Sequence, residues 1–262
     1  MLLLAEIAAW SMLAFGALLF VVQLAAHEVG FLIARRQAER HEAPGEAIGA
    51  LIGGLLGLLA FVLALTLSFA SERFNDRRAG TLAEANAIGT AWLRAKALGQ
   101  PHGEQIAQLL EQYTQQRIAF IRTSHDPAEL VEINNHTEKL QSAIWADMSA
   151  IVREQPNPIS ASLMASLNEV FDMTTAERFA FELRLPPQIF WLLLGLTLLG
   201  MGVLGYQLGL RERRIRMLAG VLALTWTVVI VVILDLAAAR IGSLRTSVVA
   251  YEWTLQSFHG PR

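Results

Sequence analysis

Four long uncharged runs constrain this chain more than any other feature of its sequence. They cover Ile7–Ala26, Ala47–Ser71, Leu185–Leu210 and Met217–Leu234, and none contains Asp, Glu, Lys or Arg. Each is close to or above the roughly 18–20 apolar residues that a helix needs to cross a bilayer. Backbone groups inside lipid must be hydrogen-bonded within the chain, so such spans are helical. The sequence therefore predicts an all-α membrane protein with four spans, which excludes most soluble enzymes.

The spans divide the chain into segments. Span two shows no end signal, because the apolar positions keep helical spacing from Glu46 to Leu98 with no proline between them. We therefore expect it to leave the membrane and become the first helix of a bundle. The expected loop between spans one and two is His27–Glu46. The predicted domains are 1–71 (spans one and two), 72–184 (an extramembrane helical bundle), 185–238 (spans three and four) and 239–262 (a C-terminal tail).

Breaker residues predict three further helices in the bundle. Turns are expected at 99–103, at 124–127 and at 155–158, and two prolines precede span three. Between these turns, apolar residues recur at the spacing of amphipathic helices. No strand-like alternation is present.

Composition narrows the function. A net charge of −2 argues against nucleic-acid binding, and the absence of cysteine excludes disulfides and thiolate metal sites. The six histidines have no metal-ligand spacing, and no supported catalytic motif is present. We expect no enzyme activity, no cofactor and no metal. The expected partners are membrane lipid, inorganic ions and further copies of the chain, and not nucleic acid.

Span two is the candidate working element. Gly49, Gly53 and Gly57 repeat every four residues, and such stripes let helices approach closely in lipid. The stripe fits either ordinary packing within the chain or packing between copies of span two around a symmetry axis. Phe61 and Leu65, with Phe69, follow at i, i+4 and i+8. They fit either a hydrophobic pore constriction or a face that contacts lipid or other spans.

Charged residues where the spans end are the remaining candidates. Arg73, Arg77 and Arg78 lie where span two leaves the membrane. They fit a positive pore mouth that attracts anions, or a belt that fixes the helix at the interface. Asp235 ends span four, and local pairing with Arg240 is favoured over a role inside the membrane.

Arginine counts bear on orientation. The two short loops carry seven arginines, and the bundle side carries seven near the spans. Because the positive-inside rule is counted over short loops, these numbers favour a bundle outside the cytoplasm.

Three stretches of the chain resemble bacterial bestrophin-like domain proteins. They are residues 58–66, 71–78 and 84–95, and weaker matches follow in order at 110–117, 167–178 and 234–242. The positions that match the family motifs are Glu84, Asn86, Arg94, Asp235 and Arg240. Ala237 and Ala239 depart from the Asp and Pro of the C-terminal pattern.

The resemblance implies a function as well as a fold. Through its similarity to bestrophin anion channels, it implies a homo-oligomeric ring such as a pentamer, with an ion pore along span two. It also implies a bacterial inner-membrane location and a bundle in the cytosol, opposite to the arginine count. The alternative is a non-conducting interaction or sensing protein that acts through its helical bundle.

Overall fold

The computed structural model describes residues 12–38, 46–99, 101–123, 126–154, 156–183, 186–211, 215–240 and 242–260. These residues form helices and no strand, which confirms the all-α prediction. The helices are α1 Met12–Ala38, α2 Glu46–Leu98, α3 His102–Arg122, α4 Pro127–Glu154, α5 Pro158–Glu182, α6 Pro187–Leu210, α7 Arg216–Ala237 and α8 Val249–Phe258.

Four stretches of the described residues are long and apolar enough to cross a membrane. One lies in each of α1, α2 and α7, and the fourth ends with α6. We take only the uncharged parts as membrane-spanning. Residues 185–210 carry no charge, whereas α5 carries Glu169, Asp172 and Glu177, so α5 belongs outside the membrane.

The helices begin at the predicted breaks. α4, α5 and α6 start at Pro127, Pro158 and Pro187, where a missing N–H costs no hydrogen bond. Asn157 caps α5, since its side-chain oxygen accepts hydrogen bonds from the Ile159 and Ser160 amides. α2 forms the predicted helix over all 53 residues from Glu46 to Leu98.

The prediction of a loop over His27–Glu46 is wrong for residues 27–38. α1 continues as a helix to Ala38, because no breaker occurs before Pro44-Gly45. Arg35 and Arg36 lie in its last turn, where cations interact favourably with the helix dipole. Residues 7–11, the predicted start of span one, lie outside the described part of the chain.

The chain divides into two compact units. The membrane unit comprises the described residues within Met1–Glu72, Arg184–Ala238 and Gly242–Leu244. The bundle comprises those within Arg73–Leu183, Ala239–Ile241 and Arg245–Arg262. The C-terminal residues thus supply α8 to the bundle, with Tyr251 fully buried.

Glycines bring α1 and α6 together in the membrane unit. A Cβ on Gly205 would lie 2.0 Å from the carbonyl oxygen of His27. A Cβ on Gly30 would lie 2.0 Å from the oxygen of Gly202, and one on Gly209 would lie 2.5 Å from that of Phe31. These glycines are what permits the close backbone approach of the two helices.

The bundle has a conventional apolar core. Helices α2 to α5 each contribute fully buried side chains, as the predicted amphipathic faces require. Its most buried apolar members are Ile88 of α2, Leu110 of α3, Ile144 and Met148 of α4, and Leu163 and Leu167 of α5. This core also encloses a group of polar side chains.

Candidate functional site

A cluster of polar side chains around Glu84 lies inside the bundle. Glu84 of α2 and Arg117 of α3 are 0% and 1% exposed. Arg117 donates through Nε to Glu84 Oε1 at 2.6 Å and through Nη2 to Oε2 at 3.1 Å. Tyr251 of α8 donates to Oε2 at 2.6 Å, and the Thr174 hydroxyl of α5 lies 2.7 Å from Oε1. We call Glu84, Arg117, Thr174 and Tyr251, with Tyr113, the Glu84 cluster.

Each oxygen of Glu84 therefore accepts a hydrogen bond from Arg117 and has a hydroxyl group within hydrogen-bonding distance, although the Thr174 hydroxyl also lies 2.8 Å from the Val170 carbonyl oxygen. Tyr113 hydrogen-bonds to Thr174, and Gln141 of α4 donates to the Tyr113 hydroxyl at 3.0 Å. A buried ion pair is stable only when its remaining hydrogen-bonding capacity is filled, and these contacts fill it. The cluster joins α2, α3, α5 and α8 through a single carboxylate.

Arg117 and the two tyrosines of the Glu84 cluster remain protonated near neutral pH. Burial, with Glu84 nearby, raises the pKa of Tyr113 to about 12 and that of Tyr251 well above its ordinary value. Burial alone would lower the pKa of Arg117, but the Glu84 carboxylate outweighs it and the pKa rises. Arg117 therefore stays charged, and both tyrosines stay neutral donors.

A second carboxylate, Glu177 of α5, lies in the same unit with far fewer partners. It is 1% exposed. Its Oε1 lies 2.5 Å from the Thr81 hydroxyl, which is also 2.9 Å from the carbonyl oxygen of Arg77. Its Oε2 is buried, and no described residue is a hydrogen-bond partner to it. A Cβ on Gly80 would lie 2.3 Å from that oxygen, so a larger residue there would displace the carboxylate.

The predicted pore residues occupy one side of α2 in the membrane unit. Phe61, Leu65 and Phe69 are 64%, 43% and 51% exposed, while Leu59 and Leu63 on the other side are buried. Among the described residues outside its own helical turn, a Cβ on Gly53 or Gly57 would meet no atom within 4 Å, and one on Gly49 would meet Gln207 Nε2 at 3.5 Å. Within the described residues, the close helix packing lies instead at the glycines of α1 and α6.

The three candidate arginines have different environments. Arg78 is exposed and Arg73 is half-buried, whereas Arg77 is 1% exposed and belongs to the bundle interior. Arg77 and Arg78 both approach the Phe74 ring, at 5.9 and 5.8 Å from its centroid. The structure therefore does not present all three guanidinium groups on one surface.

Two family-motif residues near the C-terminus have structural roles. Asp235 accepts hydrogen bonds from the Ser243 amide at 2.9 Å and the Ser243 hydroxyl at 2.5 Å. It thereby holds the turn at Gly242, whose φ of 105° suits glycine. Arg240 donates to the Phe120 carbonyl oxygen at 2.6 Å and lies over the Phe120 and Phe181 rings.

Comparison with known proteins assigns the chain to a family. A family model described as "Bestrophin-like domain" matches residues 10–251. The chain belongs to the bestrophin-like domain family. No curated protein and no solved structure matches it significantly. Family membership and the four apolar stretches together make this a multi-pass membrane protein.

The remaining motif positions of this bestrophin-like chain lie apart from the Glu84 cluster. Arg94 donates to the Ser162 carbonyl oxygen at 3.0 Å, and Asn86 is exposed. Sequence reasoning found Glu84 but missed its partners. One signal was available for Arg117, which lies on the same predicted face as Leu110 and Tyr113, a position where a charge needs a buried partner. Tyr251 carried no comparable signal.

Proposed function

We propose that the chain assembles into a homo-oligomeric ring in the bacterial inner membrane, with an ion pore along α2. The exposed face of α2, formed by Gly53, Gly57, Phe61, Leu65 and Phe69, is the observation that supports this most. In a ring it would place three successive layers of apolar side chains around a passage, and such layers gate ions by dewetting.

The exposed apolar residues of α2 favour contact with a second copy of the chain over contact with lipid alone. Beyond the charged residues at 72–78, α2 continues through the bundle with Leu82 and Leu93 at 50% and 65% exposure. Lipid tails can cover Phe61 and Phe69, but not side chains on an extramembrane helix. Another copy of this chain has a span that can cover the first set of residues and an extramembrane helix that can cover the second.

We assign the mouth of the proposed pore to Arg73 and Arg78. Their side chains are half-buried and exposed, so a ring of copies would place positive charge near the passage and favour anions. Arg77 is left out of this assignment because its side chain is buried in the bundle. Glu72 and Asp76, both exposed nearby, reduce that potential.

Flux measurements in reconstituted liposomes test the pore. The triple variant Phe61→Ala, Leu65→Ala, Phe69→Ala widens the proposed constriction, and ion flux should rise severalfold. The matched control is Val221→Ala, Leu224→Ala, Val228→Ala on α7, three apolar residues of 52–54% exposure that the proposal leaves to lipid. Flux equal to empty liposomes from a folded and assembled triple variant would refute the pore.

Assembly is tested separately, by native mass spectrometry. Gly53→Leu should dissociate the ring, because its side chain clashes only with another copy. Gly220→Leu on α7, where a Cβ also meets nothing within 4 Å, should leave the ring intact. Intact rings in both variants would remove the Gly53 face from the interface. In the conducting ring, Arg73→Gln with Arg78→Gln should lower the anion-to-cation flux ratio.

A second candidate function is a non-conducting interaction protein. The bundle exposes Phe179 and Trp253 at 63% and 64%, and large apolar groups in water commonly mark binding surfaces. We propose this role if the chain is monomeric in nanodiscs and passes no ions. Phe179→Ser with Trp253→Ser should then abolish partner binding while the thermal stability of the bundle is retained.

A further inference from the structure

The two buried glutamates of the bundle differ in how their oxygens are satisfied. Glu84 accepts two hydrogen bonds from one guanidinium and a third from the Tyr251 hydroxyl. Glu177 has one hydroxyl at Oε1 and no hydrogen-bond partner at Oε2. Arg77 and Arg117 act on the carboxylate electrostatically, but no described residue donates a hydrogen bond to Oε2. An ionised carboxylate would leave this buried oxygen without a donor, which disfavours the charged form.

The hydrogens available at Thr81 are consistent with a neutral Glu177. Its hydroxyl oxygen lies within hydrogen-bonding distance of both the Arg77 carbonyl oxygen and Glu177 Oε1. A threonine hydroxyl has one hydrogen and two acceptor lone pairs, so it cannot donate fully to both. If Glu177 carries a proton on Oε1, it donates to Thr81, and Thr81 donates to Arg77. Both contacts are then complete hydrogen bonds.

Gly80 allows α5 to approach α2 at this carboxylate. A Cβ at this position would lie 2.3 Å from Oε2, so a larger residue would displace the Glu177 side chain. We propose that Glu177 is a proton-binding site that is neutral when α5 packs against α2 at Gly80 and Thr81, and whose ionisation weakens that contact.

The charged groups that face Glu177 come from three helices. Arg77 of α2 and Arg117 of α3 favour its ionised form, while Glu84 of α2 opposes it. The Glu177 carboxylate also contributes to the raised pKa of Tyr251 of α8. Burial is the largest influence and raises the pKa of Glu177 to about 7. A hydrogen bond from Thr81 to the ionised carboxylate opposes this rise, and the charge of Glu84 adds to it.

The sign of the pH dependence follows from this shift. The ordinary pKa of the group is 4.5, so the unfolded chain releases the proton at a lower pH than the folded bundle does. The folded state binds more protons between these values, so stability falls as pH rises from about 4.5 to about 7. The contribution is fully present below pH 4.5. This pH dependence of stability does not depend on whether the chain conducts ions.

The experiment compares thermal midpoints in detergent at pH 5 and pH 8 for wild type, Glu177→Gln and Glu169→Gln. Glutamine mimics the neutral carboxyl, so Glu177→Gln should match wild type at pH 5 and exceed it by several degrees at pH 8. Glu169 is an exposed glutamate of the same helix, and its variant should follow wild type. A Glu177→Gln chain that is less stable than wild type by the same amount at both pH values would overturn the proposal, since Glu177 would then be an ionised partner.

Infrared spectroscopy provides a direct second measurement. The pH-difference spectrum of wild type should contain a protonated-carboxyl band that titrates near neutral pH and is absent in Glu177→Gln. If that variant does not fold, Thr81→Val retains the carboxyl and removes the hydroxyl that hydrogen-bonds to Oε1. The pH at which the band titrates should then differ from that of wild type. A wild-type spectrum without a band near neutral pH, or an unchanged titration in Thr81→Val, would refute the site.

Discussion

Helices α1 and α6 of the membrane unit meet through glycines, whereas helices α2, α3 and α5 of the bundle meet around buried charge. At Gly205 and Gly30 a Cβ would reach within 2.0 Å of a facing carbonyl oxygen. At Glu84 the contact is a bidentate ion pair, with its remaining hydrogen-bonding capacity filled by hydroxyl groups. Both units are helical, but their cores respond to different perturbations.

The difference follows from the two solvents. Lipid tails are as apolar as leucine, so spans gain little from burying apolar area against each other and depend on close packing. The bundle gains from removing apolar side chains from water, and that gain tolerates a polar group whose hydrogen bonds are complete. The membrane unit should therefore be sensitive to added volume, and the bundle to lost charge.

Breaking the Glu84 ion pair should produce the largest effect. Arg117→Met leaves the Glu84 carboxylate 0% exposed without its cation. Removing one partner of a buried pair costs about 3–5 kcal/mol. At about 2–4 °C per kcal/mol, the thermal midpoint should fall by on the order of 10 °C.

The double variant Glu84→Met, Arg117→Met separates charge from packing. Removing both partners leaves no unpaired charge, so the double variant should be more stable than Arg117→Met alone. Additive losses from the two single substitutions would show that the pair is not coupled, and would remove buried charge from the comparison.

Adding volume to the membrane unit should produce the next largest effect. Gly205→Ala places a methyl group against the backbone at His27, which cannot rotate away as a side chain can. Overpacking costs about 1–3 kcal/mol, and a backbone contact belongs at the upper end of that range. Gly195→Ala on the same helix, where a Cβ meets nothing within 4 Å, is the control. Equal midpoints for the two variants would show that α1 and α6 do not need the close approach.

The sequence predicted helices better than it predicted contacts. The spans follow from hydropathy, the breaks from proline positions, and the 53-residue α2 from the helical spacing of its apolar residues. Each of these signals is local in the sequence. The Glu84 cluster depends on side chains from four helices, and Tyr251 lies 167 residues from Glu84. No local pattern relates such positions. The glycine stripe shows the converse, since Gly53 has the local pattern of a packing site while the chain packs through Gly205 and Gly30.

The exposed ion pair between Arg122 and Glu252 should produce the smallest effect. It joins α3 to α8, as the Arg117–Glu84–Tyr251 contacts do inside the bundle, with side chains 62% and 37% exposed. Water and salt screen such pairs, so Glu252→Gln should cost only about 0.2–1 kcal/mol, and less at high ionic strength. Thermal midpoints at low and high salt measure this, with Arg117→Met as the salt-independent reference. If Glu252→Gln lowered the midpoint as much as Arg117→Met, burial would not be what distinguishes the two ion pairs, and the sensitivity of the bundle to charge would extend to its surface.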